Sequence, residues 1–119
     1  MRCDSIGHWV TSNVRDMSYM LTKAARFNQP IGAWEVGNVR NMRYMFSDAT
    51  QFDQPIGTWD VSKVLDMCYL FSNATQFNQP IGTCDVSNVY ALAEAHVLPG
   101  FAARSYLPHC CELIWFDLI

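Results

Sequence analysis

Residues 34–58 read WEVGNVRNMRYMFSDATQFDQPIGT, and residues 59–83 read WDVSKVLDMCYLFSNATQFNQPIGT. The second string restates the first at an interval of 25 residues. Moving outward at the same phase recovers a copy at 9–33 before them and the opening of a fourth at 84–89 after them. Trp9, Trp34, Trp59 and Cys84 share the first position. Ile6 and Gly7 hold the phase of Ile31 and Gly32, so residues 1–8 read as the end of an earlier copy, and a missing amino-terminal cap is implied. A segment this short cannot bury its own apolar face, so tandem copies are expected to stack as a solenoid. The matching positions are mostly apolar, which points to binding rather than bond chemistry.

The columns formed by equivalent positions are nearly uniform. Val14, Val39, Val64 and Val89 make one; Met17, Met42, Met67 and Leu92 another; then Met20, Met45 and Leu70; Leu21, Phe46 and Phe71; and Ala24, Ala49 and Ala74. Phe27, Phe52 and Phe77 follow, and Pro30, Pro55 and Pro80 lead into Ile31, Ile56 and Ile81. Stacking would lay these columns up the inside of the array, Trp on Trp and Phe on Phe, at the inter-strand pitch of about 4.8 Å.

Two halves are expected in each copy, giving an α/β repeat of one short helix and one short strand. Val39, Met42, Met45, Phe46 and Ala49 fall on one face of a helix, with Asn38 as its cap and Asn41 in the first turn. The pairs Asn13 with Asp16 and Lys63 with Asp66 repeat that arrangement, with Lys63 breaking the cap. Ile56, Trp59 and Val61 suit a turn into a short extended strand, with Gly57 permitting the bend. Pro55 fixes φ and pushes Gln54 toward an extended conformation, so the helix must end before it.

The run NVRNMRYMFSDATQFDQPIGTWDVSKVLDMCYLFSNATQFNQPIGT resembles the BspA-like leucine-rich repeat surface-protein family, which carries W-D-V-S-x-V, M-x-x-M-F and F-N-Q-P-I-G elements at the same interval. The resemblance covers residues 6 to 89. It implies a leucine-rich-repeat-like solenoid of about 3.5 coils, a surface or secreted setting, and adhesion or protein binding without catalytic residues or a cofactor. Three departures stand out: Cys84 replaces Trp, Val10 and Thr11 replace the Asp-Val pair, and nothing after Val89 matches.

Among candidate recognition residues, Tyr19, Tyr44 and Tyr69 form a column flanking the Met face, where aromatic anchors are commonly placed. The plainer reading is that they cover the helix flank. Arg15, Arg40 and nearby Arg43 form a basic counter-row along the helix, also readable as solvated charge. Glu35, Asp60 and Asp85 form an acidic row beside the strand that could hold calcium or a cationic partner, and solvated charge explains it more simply. Asn28, Asp53 and Asn78, with Gln29, Gln54 and Gln79, look like a ligand row, yet amides beside a Pro turn ordinarily satisfy backbone groups.

Five cysteines, Cys3, Cys68, Cys84, Cys110 and Cys111, are odd in number and follow no period, so spacing shows no disulfide framework. Cys68 shares a column with Ser18 and Arg43 and is expected on the surface. His109 with Cys110 and Cys111 lacks the spacing of a tetrahedral site, and His8 and His96 stand alone, so no metal is expected. No nucleophile set or phosphate loop recurs, and an enzyme is not expected.

Residues 1–89 thus read as the repeat unit and 90–119 as a separate segment, either a degenerate carboxy-terminal cap or a tail outside the repeat. Its apolar stretch carries Glu112 and Asp117 and falls short of the ~20 residues a membrane span needs. With 119 residues, 50% hydrophobic and 16% charged, the chain suits one globular domain. A net charge of −3 argues against nucleic acid as the main partner, leaving a protein or surface ligand. No basic stretch followed by an apolar run opens the chain, so no signal peptide is expected in it as it stands.

Overall fold

The computed structural model describes residues 6–81 and 84–90. Its radius of gyration is 13.4 Å, that of a compact chain, where an unfolded one of this size would approach about 30 Å. Regular secondary structure is almost absent among the described residues. A 3-10 turn spans Ile6–His8, and two isolated parallel bridges join Asp16 to Asn41 and Asn41 to Asp66.

The expected pairing of one short helix with one short strand per copy is therefore corrected: the described residues form neither an α-helix nor a strand. Hydrogen bonding shows why. The N–H groups of Met45, Ser47 and Ala49 bond back three residues, to the carbonyls of Met42, Tyr44 and Phe46. Those of Met42, Tyr44, Phe46 and Asp48 leave the segment altogether and donate to the carbonyls of Asp66, Cys68, Leu70 and Ser72 in the next copy. One copy earlier, Met17, Tyr19, Leu21 and Lys23 donate to Asn41, Arg43, Met45 and Ser47 at 2.7–2.9 Å. An α-helix instead spends each N–H on the carbonyl four residues back, at negative φ throughout. Here φ turns positive twice per copy, at Tyr19 and Lys23, Tyr44 and Asp48, Tyr69 and Asn73, which reverses the winding before a helix can propagate. A chain of three-residue turns spaces its buried side chains much as a helix does, so the apolar period alone does not separate the two.

The strand is corrected for the same reason. Trp59 donates to Ile56 and Val64 to Val61, so this half is also built of tight local turns, while parallel bridging falls at Asp16, Asn41 and Asp66. The expected helix cap takes a different role. Asn38 donates its side-chain N–H to the carbonyl of Ser12 at 2.7 Å, and Asn88 does so to Ser62, tying each copy to the one before. Lys63 reaches Asn38 Oδ1 at 3.3 Å. Asp16, Asn41 and Asp66 each accept from the N–H two residues on, at Ser18, Arg43 and Cys68, so each closes an Asx turn.

The core lies where the columns predict. Trp34 and Trp59, Val39 and Val64, Met42 and Met67, Phe46 and Phe71, Phe52 and Phe77, and Ile31, Ile56 and Ile81 are all buried. Ring centroids stand 5.2 Å apart from Phe46 to Phe71 and 6.4 Å from Trp34 to Trp59, within the range where aromatic pairs add roughly 0.5–1.5 kcal/mol each beyond burial. Trp9 departs from this pattern: it stacks on Trp34 at 6.2 Å yet is 54% exposed.

Two features set how closely copies approach. A Cβ on Gly32 or Gly57 would lie 2.9 or 2.6 Å from the carbonyl oxygen of Pro55 or Pro80, so only glycine fits there. The amide row ties the same edge: Asn28 Oδ1 accepts from the N–H of Asp53 and from Gln54, and Asp53 Oδ1 accepts from the N–H of Asn78 and from Gln79. These side chains satisfy backbone groups as expected, but across copies rather than within their own turn.

Candidate functional site

The tyrosine column arises from the turns just described. An Asx turn places Ser18, Arg43 or Cys68, the next residue takes positive φ (61° at Tyr19, 58° at Tyr44 and Tyr69), and the residue after, Met45 or Leu70, returns to the core. The N–H groups of Tyr19 and Tyr44 are held by the carbonyls of Arg43 and Cys68 in the next copy. That ladder fixes the pitch, and the rings follow it. Tyr19 to Tyr44 is 4.9 Å and Tyr44 to Tyr69 is 4.6 Å between centroids, with 13° between planes in both pairs. Tyr19, at the free end, is 53% exposed, and Tyr44 and Tyr69 are half-buried.

Arg43 joins this column. Its guanidinium carbon lies 5.3 Å from the Tyr44 ring centre and 5.9 Å from that of Tyr69, and its Nη1 is 3.6 Å from Asp66 Oδ2. Cation–π contacts at such partly exposed positions are worth about 0.5–1 kcal/mol. Partial burial works against the charge, but the Tyr19 hydroxyl and the Asp66 carboxylate outweigh it and raise the Arg43 pKa further. Of the three arginines singled out from sequence, the structure brings only this one to the rings. Arg15 and Arg40 are exposed and linked to each other through the backbone, the N–H of Arg40 donating to the carbonyl of Arg15. Cys68, expected on the surface from its column, is buried, in a turn closed by its N–H on Asp66 Oδ1 and tied to the preceding copy by its carbonyl, which accepts from the N–H of Tyr44.

The acidic row lies on the other flank. Glu35 and Asp60 line a polar groove of about 560 Å³ together with Ser12, Asn13, Asn38 and Lys63. Asp60 is committed to its own turn, accepting from the N–H and hydroxyl of Ser62 at 3.1 and 2.6 Å, and Asp85 accepts from the N–H of Ser87. Hydrogen bonds from these serines hold both carboxyls below the usual range, as those from Ser18 do for Asp16. Among the described residues no three His, Cys, Asp or Glu side chains gather as a metal site. Cys3, His96, His109, Cys110 and Cys111 lie outside the described residues.

A third feature was not legible in the sequence. The indole N–H groups of Trp34 and Trp59 donate to the carbonyls of Ile6 and Ile31, 2.9 and 3.2 Å away. At Cys84 the indole is missing and the thiol makes one long contact, 3.9 Å to the Gly57 carbonyl. Beside it lies an apolar cavity of about 30 Å³, bordered by Phe46, Trp59, Phe71 and Val86. Burial pushes the Cys84 thiol pKa up, which disfavours the thiolate.

No helix among the described residues is long and apolar enough to cross a membrane. Neither the curated proteins nor the solved structures contain a match to the chain. A protein family matches it over residues 1–97, and the chain belongs to that family, which is described as Mycoplasma protein of unknown function, DUF285.

Proposed function

We propose that this DUF285 member is a non-catalytic protein-binding or adhesion module of the surface-protein type, built as a leucine-rich-repeat-like solenoid. Support for the solenoid comes from the 25-residue period, from hydrogen bonds that run copy to copy, and from the resemblance of residues 6–89 to BspA-like repeats. The recognition surface is the column of Tyr19, Tyr44 and Tyr69 with Arg43 laid over it, and the observation that carries this reading is their contact geometry. Tyr and Arg are the side chains most often responsible for binding energy at protein interfaces. Because the rings stack on one another, they offer a partner their edges and hydroxyls, flanked by the guanidinium, rather than open faces. Arg15 and Arg40 would extend the basic margin.

A second reading has its own support. Mutual stacking already uses the faces of Tyr44, so the column also suits a structural spacer, a piece of a longer array whose recognition lies elsewhere. Binding of the full chain to immobilised matrix proteins and to a glycan array separates the two. If the column is the site, Tyr44→Ala with Tyr69→Ala, and separately Arg43→Ala, weaken binding at least tenfold while the thermal midpoint shows the variants folded. Binding that ignores these changes removes the column, and no binding at all favours the spacer.

A further inference from the structure

We infer that the polar groove spanning the first three copies is a binding site for an uncharged saccharide, separate from the tyrosine column. The groove lies where the repeat departs from itself in three places at once. In the third and fourth copies an aspartate and a serine two residues on close a turn, Asp60 with Ser62 and Asp85 with Ser87. In the second copy those positions hold Glu35 and Gly37. Of the oxygens of Glu35 only the carbonyl is engaged, by the Thr11 hydroxyl, and the exposed carboxylate accepts no hydrogen bond among the described residues. Lys63 is the third departure. Asn38 and Asn88 each donate a side-chain N–H, to the carbonyls of Ser12 and Ser62 at 2.7 Å, but Lys63 in the same column turns to Asn38 Oδ1, and the Gly37 carbonyl is left with no donor among the described residues. Beneath these positions the columns continue unchanged, with Trp34 over Trp59 and Val36 over Val61, all buried. Glu35, Gly37, Asn38, Asp60 and Lys63 border one groove of about 560 Å³, within the roughly 300–1,000 Å³ of small-molecule sites.

The charges select the guest. Glu35 and Asp60 disfavour an anion, and the Lys63 ammonium disfavours a cation, while acceptors and donors both stay open to a neutral molecule. Glu35 offers two carboxylate oxygens. Asp60 spends Oδ1 on its own turn and keeps Oδ2, which lies 3.5 Å from where a Cβ on Gly37 would stand. The Gly37 carbonyl is a further acceptor, and the Lys63 ammonium has three N–H donors, one of them on Asn38. Neighbouring hydroxyls of a sugar ring meet this pattern, since each can give its proton to a carboxylate and accept one from an ammonium, both charge-assisted bonds. Trp34 and Trp59 also border the groove and supply an apolar margin for the C–H groups of the ring.

The test titrates the full chain calorimetrically with maltohexaose, cellopentaose and mannohexaose, and with a heparin oligosaccharide and oligolysine as charged controls. Saturable binding of a neutral probe, tighter than that of either control, is expected. Glu35→Gln and Lys63→Met are each expected to weaken it about tenfold or more, the worth of one hydrogen bond to a charged group. A further variant restores the repeat: Glu35→Asp with Gly37→Ser and Lys63→Asn. A Cβ at 37 meets only Asp60 Oδ2, at an ordinary contact distance, so the serine fits, and the new amide can donate to the carbonyl at 37 as Asn38 does to that of Ser12. This variant is expected to hold or raise the thermal midpoint while losing the saccharide, a combination that a merely structural groove would not give. Tyr44→Ala with Tyr69→Ala is expected to leave saccharide binding in place, which separates the groove from the tyrosine column. Failure of every neutral probe to bind, tighter binding of a charged control, or undiminished binding by the single variants or by the restored repeat would each overturn the inference.

Discussion

At the scale of single residues, position 84 shows what the repeat loses when one side chain changes. Trp34 and Trp59 each fill the space beneath the next copy and donate an indole N–H to a carbonyl of the preceding one. Cys84 does neither well, and a void of about 30 Å³ adjoins it. Cys84→Trp is therefore expected to stabilise the protein by about 0.5–2 kcal/mol, the usual gain from filling a cavity, with the new indole donating toward Ile56 as Trp59 does toward Ile31. Differential scanning calorimetry checks this, and an unchanged or lower midpoint would show that the surrounding side chains have already closed the gap. The loss of Trp at 84 was legible in the sequence as a break in the column, but its cost was not, since a void depends on how far neighbours relax. Arg43 is the converse. Its charge beside Arg15 and Arg40 marks it in the sequence, but its column holds Ser18 and Cys68, and only the turn geometry carries its guanidinium over the rings of the neighbouring positions.

At the scale of the element, the repeating unit is a turn closed by a carboxylate or amide. Asp16, Asp60 and Asp85 accept hydrogen bonds from Ser18, Ser62 and Ser87, and these lower their folded-state pKa values. A carboxyl whose folded pKa lies below its unfolded value, about 4, contributes stability that is fully present above the unfolded value. That contribution is lost as pH falls through the folded value. The thermal midpoint is accordingly expected to hold between pH 7 and 5 and to decline below about 4. Asn41 performs the same closure with a neutral amide, so the triple variant Asp16→Asn, Asp60→Asn, Asp85→Asn should keep the turns and show a shallower acid decline. Parallel curves for parent and variant would place the linkage elsewhere. These turns also explain why the apolar period matches that of a helix. Residues 39, 42, 45, 46 and 49 face inward either way, and what separates the two structures is the destination of alternate N–H groups and the sign of φ at Tyr44 and Asp48, which the apolar pattern does not encode.

At the scale of the whole molecule, the columns legible in the sequence do become the core, while the elements carrying them are tight turns in place of the expected helix and strand. Stacking is dictated by what each copy lacks, and that does not depend on whether the backbone is helix, strand or turn. The middle copy is tied on both sides: four N–H groups from the first copy end on its carbonyls, and four of its own end on the third. Phe46 sits at its centre, fully buried, with ring centroids 4.3 Å from Phe52, 5.2 Å from Phe71 and 6.3 Å from Trp59. Phe46→Ala is expected to cost about 3–5 kcal/mol, and the loss is expected to reach the next copy through Phe71 and Trp59. The check uses the parent and the variant, each in two backgrounds that keep a single internal reporter, Trp34 or Trp59, with the other tryptophans changed to Phe. Coincident midpoints for the two reporters, shifted down together by Phe46→Ala, would show one cooperative unit. Two separated transitions would mean that the copies unfold independently, and the ladder of hydrogen bonds between them would then be too weak to couple neighbours.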